Sequence, residues 1–220
     1  MSGLTAIERL LLPLVRRFVA LWVRPSVLPD GLAERLGSGR TVVYALEKRS
    51  VVDVAVLEHV CRERSLPLPL APLGSGAVLS ASVFFLERRA GFLGLRLDRR
   101  MPEALRTLVS LAASDPAFDV DILPISLFWG RAPDRERSWL RLWVAEDWDI
   151  GGRFRKLVSL IVNGRNLLLL AGETLAVQPA LADTRGIPRS PRRLWRQLRT
   201  QFRNQRTATI GPDLSHRRTI

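Results

Sequence analysis

The chain is expected to fold as an α/β protein, with a mixed, largely parallel sheet covered by helices and an amphipathic helix at each end. Three observations predict this. Short apolar runs at 41–46, 83–86, 120–129 and 167–170 alternate with helix-length segments at 51–64 and 102–113, the pattern of strands joined by crossover helices. At 220 residues, 47% hydrophobic and 25% charged, the chain can bury one substantial core. Arginines recur at helical spacing towards both termini. These features divide the chain into a membrane-associating amphipathic segment (1–30), an α/β domain (31–185) and a basic amphipathic segment (186–220).

Residues 4–24 carry the helical period. Projected at about 100° per residue, Arg9, Arg16, Arg17 and Arg24 share an arc of roughly 100°, opposite Ile7, Leu11, Leu14, Phe18, Leu21 and Trp22. Uncharged runs such as Leu10–Val15 fall far short of the about 20 apolar residues of a membrane span. The arginines also interrupt the apolar run instead of preceding it, unlike a secretory signal. Three uses remain open: a helix lying in the membrane plane, a helix packed on the core, or a helix that binds a partner. In the first, the arginines meet headgroups while Phe18 and Trp22 enter the acyl boundary. Pro13 is expected to kink or split the helix. Pro25, Pro29 and Gly31 close the segment, and Gly37-Ser-Gly39 turns into the main body.

Thr41–Leu46 reads as a buried strand, followed by a short loop and a helix from about Val51 to Arg64. Leu66–Pro72 and Gly74-Ser-Gly76 read as an extended loop. Val83–Leu86 and Phe92–Leu97 are strands joined through Arg88, Arg89 and Gly91. Pro102–Ala113 is a helix with a proline suited to its first turn, stopped by Asp115-Pro116. Val120–Trp129 is a buried strand that empties at Gly130 into the charged loop Arg131–Glu136. Loops leaving the carboxyl ends of parallel strands form ligand crevices, so Glu47–Ser50 and Gly130–Arg137 are expected near one another. Trp139, Trp143 and Trp148 suit a core, a substrate wall or a membrane belt. Arg153–Val162 reads as a helix and Leu167–Leu170 as a short buried strand.

Lys and Arg number 34 against 21 acids, a net charge of +13. From Arg185 onward ten arginines face the single acid Asp213, so +9 of the +13 lies between Arg185 and the last residue. There Arg192, Arg196, Arg199, Arg203 and Arg206 form one stripe at helical spacing, flanked by Leu194, Trp195, Leu198 and Phe202. Such a stripe suits a membrane surface or a partner, or it stays solvated while the apolar flank docks on the body. Arginine favours phosphates through bidentate pairing. A lone Cys61 excludes an intrachain disulfide.

His59 and Cys61 form one H-x-C pair with no second pair, so no structural zinc is expected. Neither a P-loop, nor G-x-G-x-x-G, nor a G-x-S-x-G elbow occurs. No cofactor is implied.

The phrase Leu123-Pro-Ile-Ser-Leu-Phe-Trp-Gly-Arg-Ala-Pro-Asp-Arg-Glu136, then Asn163-Gly-Arg-Asn166, Phe202-Arg-Asn-Gln-Arg206 and Gly211-Pro-Asp-Leu214 resemble, in the same order, the N-terminal region of the bacterial membrane-bound glycerol-3-phosphate 1-O-acyltransferases. The likeness runs from about Thr41 to the end. It implies acyl transfer from acyl-CoA or acyl carrier protein to sn-glycerol 3-phosphate, the first step of phospholipid biosynthesis, at the cytoplasmic face of the bacterial inner membrane. The family's signature, a His and an Asp with four residues between them, is expected beyond the last residue present.

Set against the family's acyltransferase domain, the loop Lys48-Arg49-Ser50-Val51-Val52-Asp53 has Lys48 where the catalytic His stands and keeps the Asp as Asp53. An ordinary lysine is protonated at neutral pH and makes a poor general base. The resemblance therefore implies a degenerate acyltransferase fold, inactive alone, that supplies peripheral membrane attachment and a platform for a catalytic domain downstream or in trans. The plainer reading is that Asp53 caps a helix and Lys48 is solvated. The expected partners are an anionic phospholipid surface and that catalytic domain, with acyl carrier protein a further candidate. The alternative is a basic nucleic-acid-binding module, in which Trp195 and Phe202 stack on bases.

Overall fold

The computed structural model describes residues 6–36, 41–73, 79–90, 96–98, 100–115, 117–129, 167–178 and 191–210. The loop expected at 130–137, Trp139, Trp143 and Trp148, the helix expected at 153–162, and the segments 163–166 and 211–214 lie outside the described residues.

The sheet is built around β2 (Thr41–Lys48), which buries Val42, Tyr44 and Leu46 on one side and Val43 and Ala45 on the other. Burial on both faces is why this strand reads as one apolar run without alternation. β2 lies parallel to β3 (Val83–Ala90) and to β5 (Val120–Trp129). The short β4 (Arg96–Asp98) pairs antiparallel with β3. On the other side of β5, β6 (Leu167–Ala171) and β7 (Leu175–Ala176) run antiparallel to it, and β1 (Pro25–Leu28) lies parallel to β6. The order is β1-β6-β5-β2-β3-β4, with β7 beside β5. This is the expected α/β architecture, a mixed sheet with parallel strands at its centre.

Two prolines sit in this sheet, each where it does least harm. Pro25, taken above as a terminator, opens an edge strand, where its missing N–H costs no ladder bond. Pro124 occupies β5 between its pairing with β7 at Ile122 and with β6 at Ile125. There the Gly172 N–H donates to the Pro124 carbonyl at 2.8 Å. A Cβ at position 172 would stand 2.8 Å from Pro124 Cγ and 2.6 Å from Gln205 Nε2, so glycine is required for this close approach.

Helices cover both faces. On one lies α3 (Val51–Glu63), capped by Ser50, whose Oγ accepts from the Asp53 N–H at 3.3 Å. α2 (Leu32–Leu36) joins the same core. α1 (Ala6–Trp22) packs Leu12, Val15, Val19 and Val23 against Val52, Ala55 and Val56 of α3 and against Leu167. It runs as one helix through Pro13, which does not split it; Pro13 is exposed, where water can take the freed carbonyl. The opposite face carries α4 (Glu103–Ser114) and α5 (Pro191–Ile210), which bury Leu105, Leu108, Leu194, Leu198 and Phe202 with Val43 and Ala45. The two end helices thus lie on opposite faces of the sheet.

Candidate functional site

The loop from β2 to α3 places Lys48 and Asp53 in different environments. Lys48 is exposed at the strand's last position, whereas Asp53 is 7% exposed in the first turn of α3. Trp129, at the end of β5, donates its indole N–H to Asp53 Oδ1 at 3.3 Å. A buried carboxylate requires such donors, and a helix N-terminus favours its charge. Lys48 and Asp53 are therefore not assembled as a pair. Asp53 ties the α3 cap to β5. At the end of β2 Glu47 accepts two bonds from Arg206 Nη2, at 2.5 and 2.6 Å, which joins this strand to α5. The preceding residue, Gln205, accepts at Oε1 from Ser126 Oγ at 2.6 Å.

The first helix separates its arginines. Arg16, grouped by spacing with the headgroup-facing set, turns inward: Nε and Nη2 donate to Glu58 Oε2 and Oε1, both at 2.7 Å, and Arg62 donates to the same carboxylate at 2.5 Å. Glu58 is only 2% exposed, so losing one of these charged bonds costs about 1.5–3 kcal/mol. Arg16 is thus the clamp between α1 and α3. Arg17 and Arg24 are exposed. The side chain of Arg9 lies outside the described residues.

The apolar residues of α1 fall into two arcs. Leu12, Val15, Val19 and Val23 are buried, while Leu10 (80%), Leu14 (70%) and Leu21 (79%) stand largely in solvent and Leu11, Phe18 and Trp22 are exposed over less than half of their surface. At about 100° per residue the exposed set spans an arc of roughly 120°, bordered by Arg17 and Arg24. The rings of Phe18 and Trp22 meet within it at 6.5 Å. Six large apolar side chains thus share one exposed helix arc. Of the exposed set, Leu11, Leu14, Phe18, Leu21 and Trp22 are those expected from spacing; the buried 12, 15, 19 and 23 also recur at intervals of three and four, a second period in the same segment.

In α5 the apolar flank is inward and the stripe outward. Arg192, Arg196, Arg199, Arg203 and Arg206 are exposed, while Leu194, Leu198 and Phe202 are buried. The Arg199 guanidinium lies 5.1 Å from the Trp195 ring centre. Phe202 is buried and Trp195 is half-buried beneath an arginine, so neither offers an open face to a base.

Deeper in the core, Cys61 donates to the Tyr44 hydroxyl at 3.5 Å, which donates to the Pro67 carbonyl at 2.8 Å. Burial pushes the Cys61 thiol up to about 11, and burial also raises the Tyr44 hydroxyl well above its ordinary range. Both groups stay neutral and take structural roles. Among the described residues no group of three or more His, Cys, Asp or Glu could hold a metal ion, and no helix is long and apolar enough to cross a membrane.

Residues 11–211 match the family described as the glycerol-3-phosphate acyltransferase PlsB N-terminal domain. The chain is 36% identical over 215 residues to a glycerol-3-phosphate acyltransferase of Pseudomonas savastanoi pv. phaseolicola and 35% identical to one of Pseudomonas syringae pv. syringae. A Pseudomonas fluorescens protein of the same name is 35% identical over 216 residues. In each case the alignment takes in 97% of this chain and 26% of the relative, so the chain spans about a quarter of the length of the relatives it matches. No solved structure matches. With Leu123–Trp129 forming a central strand and Phe202–Arg206 lying in the helix packed against it, the chain belongs to the N-terminal domain family of the glycerol-3-phosphate acyltransferases.

Proposed function

We propose that this chain is a non-catalytic amino-terminal module of a glycerol-3-phosphate 1-O-acyltransferase. It attaches the enzyme peripherally to the cytoplasmic side of the bacterial inner membrane and serves as a platform for the catalytic domain, downstream or in trans. The observation that carries the reading is the exposed apolar arc of α1 with Arg17 and Arg24 along its border. Such an arc enters the acyl boundary while its arginines stay with anionic headgroups. The clamp from Arg16 to Glu58 supports it, because it leaves the helix fixed on the body with that arc outward.

The absence of transfer chemistry of its own is supported by Asp53, whose carboxylate accepts from Trp129 in a buried setting while Lys48 stands in solvent. In this reading the arginines of α5, on the other face of the sheet, meet an acidic partner such as acyl carrier protein. The test pairs vesicle flotation with an acyl-transfer assay on the purified chain. Flotation on phosphatidylglycerol-containing vesicles without acyl transfer to glycerol 3-phosphate is expected. Measurable transfer overturns the non-catalytic assignment, and failure to float overturns the attachment role.

A further inference from the structure

Where the last turn of α1 leaves α3, a groove of about 240 Å³ opens between the two helices. Its walls carry opposite charges. Arg24, on the α1 side, is exposed and has no ion-pair partner among the described residues. On the α3 side Glu63 is 58% exposed and stands 3.4 Å from His59 Nε2. Leu21 lines the same groove and belongs to the exposed apolar arc, so one rim is continuous with the surface assigned to the bilayer.

A groove with an unneutralised guanidinium on one wall and a carboxylate on the other is matched to a ligand that is itself a zwitterion. Guanidinium recognises phosphate, and a carboxylate accepts N–H bonds from a primary ammonium. A purely anionic headgroup would satisfy Arg24 but meet Glu63 with like charge. A trimethylammonium group has no N–H to give. We infer that this groove binds the phosphoethanolamine headgroup of a phospholipid, with Arg24 on the phosphate and Glu63, beside His59, accepting from the ammonium. The inference rests on the lipid-facing assignment of α1, since Leu21 directs the attached acyl chains into that arc.

The experiment measures flotation of the intact chain on vesicles of fixed phosphatidylglycerol content, with either phosphatidylethanolamine or phosphatidylcholine as the neutral lipid. Wild type is expected to bind the ethanolamine vesicles about two- to five-fold more tightly, the worth of one exposed charged contact. Glu63→Gln should lose this preference and keep its binding to phosphatidylglycerol, whereas Arg24→Gln should weaken on both. Both positions are exposed, and unchanged melting curves confirm that the variants fold. Because ethanolamine lipids also loosen headgroup packing, a preference that persists in Glu63→Gln overturns the site. Equal binding of wild type to both vesicles overturns it too, while leaving attachment intact. No flotation on either vesicle overturns attachment and this site together. Soluble O-phosphoethanolamine is the second arm: competition that Glu63→Gln lacks supports the site, and competition without a vesicle preference reassigns the ligand to the free compound and overturns the lipid assignment.

Discussion

Single residues in this molecule act chiefly through burial. Cys61 has a proton that the fold holds more tightly than the unfolded chain does, with its pKa raised from 9.0 to about 11 by desolvation first. For an acid shifted upward, the stabilisation is complete below the unfolded value and disappears as pH climbs through the folded one. Stability should therefore fall between pH 9 and 11, by an amount on the order of 2–3 kcal/mol from this group. Urea denaturation across that range should show a shallower decline in Cys61→Ala than in wild type. Equal slopes would mean that the thiol is not the group titrating. The loop that the family resemblance singles out is governed by the same logic. The spacing of Lys48 and Asp53 was legible in the chain, but their fate was not. The donor that holds Asp53 is Trp129, 76 residues later, and the carboxylate that turns Arg16 inward lies 42 residues away. Pairings across such separations leave no local signature.

At the scale of elements, α1 shows why a periodic segment can be read correctly and still be oriented ambiguously. Its apolar side chains cover more than half of the circumference, so periodicity locates the helix without deciding which arc is buried. The structure separates the two, and substitutions should as well. Leu12→Ala, in the buried arc, should cost about 2–5 kcal/mol of stability with vesicle binding unaltered in the folded protein. Leu14→Ser with Leu21→Ser, in the exposed arc, should leave the urea midpoint nearly unchanged and reduce flotation severalfold. If the two variants lower stability alike, the outward arc is not free. Strands β2 and β5 and helix α3 were legible from their long apolar runs, whereas the cap expected of Asp53 is supplied by Ser50, with Asp53 in the first turn. β1 was not, since Pro25 and Pro29 read as breakers; only an edge position beside β6 makes room for Pro25, and Pro29 follows the strand.

For the whole molecule, the placement of the end helices matters more than their composition. α1 packs on α3 and α5 on α4, with the sheet between. If α1 rests on a leaflet, at least two packed layers, roughly 20 Å of protein, separate the α5 arginines from it. Replacing Arg192, Arg196 and Arg203 together with Gln should then leave flotation unchanged. A large loss would show instead that the molecule meets the bilayer edge-on, with both helices in contact. Screening in physiological salt acts over about 8 Å, so a row of guanidinium groups that far out contributes almost nothing to adhesion. The protein slab thus isolates two electrical interfaces. Salt titration of lipid attachment should count only the few cations of the first helix, while the larger positive field remains available to whatever anionic surface approaches from the opposite side.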